Sequence, residues 1–200
     1  MCVLRMEGTN CEDETASCFR NVGAMVKIVH LKELVSAQNL LEYDCLVVPG
    51  GFSAGDYVRA GAIFAARIKS KLWRDLVRFV DDGRLVLGIC NGFQVLVELG
   101  LLPGWDAGNP CIALSTNSSA KFECTPTFLK HENRCAFTSK ISIGKILCMP
   151  CAHGEGKLTL PKDAEEKYLS KLIENEQIVF RYVDEYGNYC LLYTSPSPRD

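Results

Sequence analysis

The sequence predicts an α/β fold in which helices cover both faces of a parallel sheet. In the first half of the chain, short runs rich in Val, Ile and Leu alternate with longer segments that have the apolar spacing of helices. The strand candidates are almost continuously apolar, which is typical of strands that are buried on both faces. Alternation of such strands with helices indicates a parallel sheet between two helical layers.

The elements of the first half follow in order. Strands are predicted at residues 2–6, 25–30, 44–48 and 84–89. Helices are predicted at residues 12–22, 61–81 and 91–99, with helical character at 31–41. Acidic residues in the first turn and Gly23 at the end mark the first helix. The segment 61–81 is predicted as one long helix, because its apolar residues recur at helical spacing.

The second half has a weaker helical signal. Short strands are predicted at residues 111–115, 120–124, 146–152 and 177–182, and a helix at 163–175. Neither an internal repeat nor a linker is visible, so the sequence predicts one domain.

Composition excludes several classes of protein. The 200 residues are 48% hydrophobic and 23% charged, with a net charge of −2, which excludes global disorder. An isoelectric point near 6.0 argues against nucleic-acid binding through a basic field. No apolar run reaches the roughly 18 residues of a membrane span. The N-terminal stretch becomes acidic too early for a signal peptide.

Cysteine is unusually frequent, with 11 residues. The odd count and irregular spacing do not suit a disulfide framework, so we expect a reduced, cytoplasmic protein. Cys2, Cys45 and Cys148 lie in apolar runs and are predicted to be small buried side chains. Cys148 and Cys151 have the spacing of a zinc or redox pair. A zinc site would need a second pair of ligands, which is not clearly spaced in the sequence. A redox pair would prefer a helix N-terminus, whereas this segment is predicted to be a strand, so two buried thiols are predicted.

The strongest local signal is Gly88-Ile89-Cys90-Asn91-Gly92, between a predicted strand and a predicted helix. It fits the nucleophile-elbow pattern, with cysteine as the nucleophile. The N-terminus of the following helix favours a thiolate, and the Asn91 N–H is placed to donate to an oxyanion. The alternative is a buried cysteine at a tight turn whose glycines serve only packing.

Two further segments are candidates for the same site. Gly50, Gly51 and Phe52 follow the third strand, where paired glycines let backbone N–H groups approach a ligand; a simple glycine turn is the alternative. His153 and Glu155, two residues apart, could serve as base and orienting carboxylate for the cysteine. The alternative for this pair is a glycine-rich loop with a structural histidine.

Five segments in this order carry a resemblance to a known family: VLRMEGTNCEDET, VPGGFSAGDYVRAGAI, GICNGFQVLVELGLLPG, NSSAKFEC and AHGEG. Together they resemble the glutamine amidotransferase subunits of phosphoribosylformylglycinamidine synthase, a purine-biosynthesis enzyme. The resemblance covers about residues 2–189. It implies a class I amidotransferase domain with a flavodoxin-like sheet.

The resemblance also implies a mechanism and partners. Cys90 would attack the side-chain amide of glutamine, giving a thioester and ammonia, and water would then release glutamate. Ammonia would pass to a synthetase subunit that amidates formylglycinamide ribonucleotide, with a small third subunit bridging the two. ATP and Mg are expected on the synthetase, and no cofactor on this chain. The implied oxyanion and substrate-binding residues are Gly50, Gly51, Phe52, Asn91, Gly92 and Gln94.

One departure from the family pattern concerns the base. The family's triad histidine and glutamate lie in a His-Pro-Glu motif that these 200 residues do not contain, and AHGEG matches a different, upstream motif. The resemblance therefore argues against His153 and Glu155 as base and orienter. We expect an incomplete amidotransferase domain at residues 1–189, a non-family tail at 190–200, and weak activity. Another cysteine hydrolase of similar fold, and a catalytically dead synthetase-binding subunit, remain as alternatives.

Overall fold

The computed structural model describes residues 1–36 and 39–189 of the chain. The chain divides into two compact units, Met1–Pro110 and Cys111–Asp200, which are described separately. The predicted tail at 190–200 lies outside the described residues, and the domain at 1–189 stays a prediction. Within the described ranges, no helix is both long and apolar enough to cross a membrane.

A parallel sheet flanked by helices forms the first unit, as predicted. Its strands are β1 (Cys2–Arg5), β2 (Lys27–His30), β3 (Cys45–Val48) and β4 (Leu85–Gly88). They pair in the order β2-β1-β3-β4, and every pairing is parallel. The helices are α1 (Glu12–Asn21), α2 (Leu31–Ser36), α3 (Ala62–Lys71), α4 (Trp73–Asp81) and α5 (Asn91–Glu98), with 3-10 turns at Leu40–Glu42 and Ser53–Asp56.

Successive residues of the central strands pack on opposite faces of this sheet. In β1, Leu4 belongs to a large core to which α2, α3, α4 and α5 contribute, whereas Val3 packs in a smaller core with Ala16 of α1. Leu46 and Val47 of β3 divide in the same way. Because both faces are covered, the strands are apolar along their length, which is the pattern that predicted them.

The prediction of one helix over residues 61–81 is wrong. Leu72 has φ −124° and ψ 0°, so α3 ends before it and α4 begins after it. Leu72 is itself buried, as are Leu76 and Phe79 of α4. The break allows both helices to bury their apolar sides. Since the apolar spacing continues across Leu72, the sequence pattern contains no signal for it.

The second unit is built from antiparallel strands. Its elements are β5 (Ala113–Ser115), β6 (Glu123–His131), β7 (Ile146–His153), β8 (Lys157–Thr159), α6 (Glu165–Glu174) and β9 (Phe180–Val183). β5 pairs with β8, and β6 lies between β7 and β9 in a second sheet. This arrangement differs from the parallel sheet of the first unit.

The strand predicted at residues 120–124 is misplaced, since β6 begins at Glu123 and runs on to His131. Pro126 within β6 argues against a strand interior, because proline has no N–H for the ladder. In the structure Pro126 lies opposite Pro150 of β7, and β9 pairs with β6 only at Phe128–His131. Pro126 is therefore tolerated in a part of β6 that has one partner strand.

The cysteines differ in burial. Cys2 and Cys45 are buried as predicted, and burial raises the pKa of the Cys2 thiol to about 12. The prediction that Cys148 is buried is wrong: it is exposed on β7, while Cys151 is buried. A spacing of three residues places the two on opposite faces of a strand. Among the described residues, no group of three or more His, Cys, Asp and Glu is arranged to hold a metal ion.

Candidate active site

The backbone turns sharply between β4 and α5, and Cys90 lies in this turn. Its φ of 52° and ψ of −112° fall in a region that non-glycine residues rarely occupy. The residue is exposed, and Asn91 directly after it begins α5. The strained strand–turn–helix geometry predicted for the elbow is therefore confirmed.

The two glycines of the elbow are required by close backbone contacts. A Cβ atom on Gly92 would overlap the carbonyl oxygen of Val48 at the end of β3. A Cβ atom on Gly88 would lie 2.5 Å from the carbonyl oxygen of Gly92. Gly92 must therefore lack a side chain for the elbow to approach β3, and Gly88 must lack one for β4 to pack against the start of α5.

The glycine segment after β3 lies beside Cys90. A Cβ atom on Gly50 would lie 3.2 Å from the Cys90 Cβ. Gly51 has φ 123°, and a side chain there would overlap Asn10. Gly51 forms an isolated antiparallel bridge with Thr9, in the loop after β1. The residues that follow β1, β3 and β4 therefore meet at the carboxyl edge of the sheet, where ligands bind in this class of fold.

The backbone N–H groups of this edge are not equally available to a ligand. The Phe52 N–H donates to the Gly8 carbonyl at 3.1 Å, and the Gly92 N–H donates to the Ile89 carbonyl at 2.8 Å. In contrast, the N–H groups of Gly51 and Asn91 make no hydrogen bond to another described residue. These two N–H groups are therefore available as donors to an oxyanion.

Two polar side chains that sequence reasoning did not assign also lie here. Ser53 is buried and Asp56 is partly buried, both in the 3-10 turn after the glycine segment. Both are bonded to the Asn91 side chain, which also donates to Gln94 Oε1 at 3.0 Å. Their closeness to the end of a buried strand was the available signal, since the turn begins soon after β3 ends at Val48.

His153 lies at the end of β7, in the second unit. Its Nδ1 is 3.0 Å from Asn117 Oδ1, which also accepts from the Gly156 N–H at 3.1 Å. The Asn117 Nδ2 donates to the His153 carbonyl at 2.8 Å, which fixes the amide orientation. The proton of the neutral ring is therefore on Nδ1. Burial lowers the pKa of His153, while Glu123 acts in the opposite direction.

Glu155 is partly buried in the turn between β7 and β8. In a catalytic triad, a carboxylate binds the ring nitrogen of the histidine that faces away from the nucleophile. At His153, the Nδ1 atom is bonded to the Asn117 amide. The roles of His153 and Glu155 as base and orienter stay predictions.

Comparison with known proteins places this site in a class. Residues 1–195 match the family model of the CobB/CobQ-like glutamine amidotransferase domain. The parallel sheet and the cysteine elbow of the first unit are thus parts of a glutamine amidotransferase.

The relatives narrow the class further. Phosphoribosylformylglycinamidine synthase subunit PurQ of Archaeoglobus fulgidus is 52% identical over 94% of this chain and 74% of its own length. The corresponding subunit of Picrophilus torridus is 44% identical over 94% of this chain and 72% of its own. The structure of PurLQS from Thermotoga maritima contains a similar chain, with a TM-score of 0.72 and 33% sequence identity. The match covers 92% of this chain and 74% of that one. The chain belongs to the PurQ family of phosphoribosylformylglycinamidine synthase subunits.

Proposed function

We propose that this chain is a glutaminase subunit, which hydrolyses glutamine to glutamate and ammonia through a γ-glutamyl thioester on Cys90. The observation that carries the proposal is an exposed cysteine at a strained elbow, beside two backbone N–H donors, Gly51 and Asn91. Family membership favours glutamine over the substrates of other cysteine hydrolases.

The reaction begins at the Cys90 sulfur. The thiolate attacks the carboxamide carbon of glutamine, and the carbonyl oxygen becomes an oxyanion. The N–H groups of Gly51 and Asn91 stabilise that charge. Collapse of the intermediate breaks the C–N bond, and the nitrogen takes up the proton that the thiol released and leaves as ammonia. Water then attacks the thioester, which yields glutamate and restores the thiol. Gln94 and the remaining glycines shape the pocket for the substrate.

The ammonia is proposed to pass to a separate synthetase that amidates formylglycinamide ribonucleotide. ATP and Mg belong to that subunit, and a small third subunit bridges the two. The likeness to a chain of PurLQS supports this partnership. A cytoplasmic location, and the absence of nucleic-acid and membrane partners, stay predictions for this chain.

Covalent labelling tests the assignment of the nucleophile. A diazoketone analogue of glutamine should modify the 200-residue chain once, at Cys90, and excess glutamine should protect it. Cys90→Ser should remove the label. Cys18→Ser is the matched control, since Cys18 is also exposed in the first unit, and it should label normally. Mass mapping after proteolysis identifies the site. Label spread over several exposed cysteines, or no protection by glutamine, would contradict the proposal.

A binding measurement with the synthetase distinguishes an active glutaminase subunit from a catalytically dead subunit that only binds the synthetase. Wild type and Cys90→Ser should bind the synthetase and the small subunit equally in sedimentation, because the substitution is confined to the sulfur atom. Binding without any labelling of the wild type would instead favour the catalytically dead subunit.

A further inference from the structure

The buried Asn91 side chain at the elbow makes four hydrogen bonds, two through its amide oxygen and two through its amide nitrogen. It is 1% exposed. Its Oδ1 accepts from the Ser53 hydroxyl at 2.6 Å and from the Ser53 N–H at 3.3 Å. Its Nδ2 donates to Gln94 Oε1 at 3.0 Å and to Asp56 Oδ1 at 3.1 Å. A carboxamide offers two donors and about two acceptor sites, so the group has little capacity left for other partners.

These bonds join two segments that are distant in sequence. Asn91 is the first residue of α5, whereas Ser53 and Asp56 lie in the 3-10 turn that follows β3. Within that turn Ala54 and Asp56 both have a positive φ, of 51° and 52°. Non-glycine residues persist in this conformation when the surrounding structure holds them. The bonds to Asn91 supply part of that constraint.

The neighbouring contacts show what Asn91 adds. The Ala54 N–H donates to the Glu7 carbonyl at 2.8 Å, which ties the turn to the loop after β1. Farther along, Arg59 forms a two-point ion pair with Glu98 at the last residue of α5, with distances of 2.7 Å and 2.5 Å. The first contact does not involve the elbow, and the second lies at the opposite end of α5. The Asn91 side chain instead links the turn to the start of α5, at the residue directly after Cys90.

We propose that the Asn91 side chain is a positioning residue, which holds the Gly51 N–H and the Asn91 N–H together as one oxyanion-binding pair. One donor is the backbone of Asn91 itself. The other precedes Ser53 by two residues, and Ser53 is fixed by the side chain of Asn91. The inference rests on the proposed function of these donors. It adds that their spacing depends on a buried side-chain network and not on the glycines alone.

Ser53→Ala tests this in the full chain, since it removes the shortest bond to Asn91 without adding volume. Hydrogen exchange should become about tenfold faster or more in the peptide that contains residues 51–56. Labelling of Cys90 by the diazoketone should slow by about tenfold to a hundredfold, because an oxyanion donor is displaced. Alkylation by iodoacetamide, which needs only the thiol, should change by less than about threefold.

A pair of substitutions at Asp56 separates the hydrogen bond from backbone strain. Asp56→Asn keeps an acceptor oxygen and tolerates positive φ, so it should behave as wild type. Asp56→Gly relieves the backbone but removes the acceptor, and it should reproduce the effect of Ser53→Ala. Ser70→Ala, on the exposed side of α3, is the control for loss of a hydroxyl. It should leave both the hydrogen exchange of residues 51–56 and the diazoketone labelling of Cys90 unchanged.

The outcomes distinguish the two proposals. Unchanged exchange and unchanged labelling in Ser53→Ala would overturn the positioning role while leaving the nucleophile assignment in place. An equal loss of iodoacetamide and diazoketone reactivity would also overturn it, because the effect would then be on the thiol. If the wild type is not labelled at all, the proposed function fails, and the positioning role for an oxyanion pair fails with it.

Discussion

Gly92 shows how strictly a single position of the elbow is constrained. Because a Cβ atom there would overlap the Val48 carbonyl oxygen, Gly92→Ala must displace α5 or β3. We expect a loss of about 3 kcal/mol in the free energy of unfolding, the upper range for overpacking. Gly83→Ala is the matched control: it has a positive φ but open space, and should cost about 1 kcal/mol. Urea unfolding measures both, and equal costs would contradict the close approach.

His153 is a second residue with a specific expectation, because burial lowers its pKa. The folded state then binds a proton less readily than the unfolded state, whose histidine titrates near pH 6.5. Stability should therefore be full above about pH 6.5 and decrease as the pH falls below it. His153→Asn keeps a donor for Asn117 but cannot titrate, so its stability should decrease less steeply in that range. The free energy of unfolding is measured at several pH values for both proteins, and identical slopes would be evidence against a partly buried neutral ring.

At the scale of elements, α4 has one side packed in the core and another side exposed. Leu76 is fully buried, whereas Val80 on the same helix is 40% exposed. Leu76→Ala should lower the free energy of unfolding by about 3 kcal/mol, since it leaves a cavity in the larger core. Val80→Ala is the control and should cost under about 1 kcal/mol. Similar costs for the two substitutions would mean that α4 does not face the core as described.

The elements that sequence could predict are those with a strong local pattern. β3 and α5 were predicted within one residue of their bounds, because a buried strand is continuously apolar and the elbow fixes where the helix begins. The break at Leu72 and the course of β6 were not predicted. Both depend on packing between distant segments, and Pro126 in β6 even favours a different structure locally.

The residues of the candidate site also fall into those that a local sequence pattern predicts and those that only the folded chain brings together. Cys90 and its glycines are visible in sequence, because a tight strand-to-helix turn demands those residue types at that spacing. Ser53 and Asp56 lie near the end of a buried strand, but their role was not predicted. Their partner Asn91 is 38 and 35 residues away, and only the folded chain brings them together. Asn117, which holds His153 in the second unit, was missed for the same reason.

For the whole molecule, membership of the PurQ family and an elbow with two available N–H donors lead to one central claim: Cys90 carries a glutamyl group during turnover. In the most direct test, glutamine is mixed with the chain bound to its synthetase and the reaction is stopped in acid. The mass of the peptide that contains Cys90 is then measured by mass spectrometry. The account predicts a mass increase of one glutamyl group, removed by hydroxylamine and absent in Cys90→Ser. Consumption of glutamine with no such adduct, or with the adduct on another residue, would contradict it.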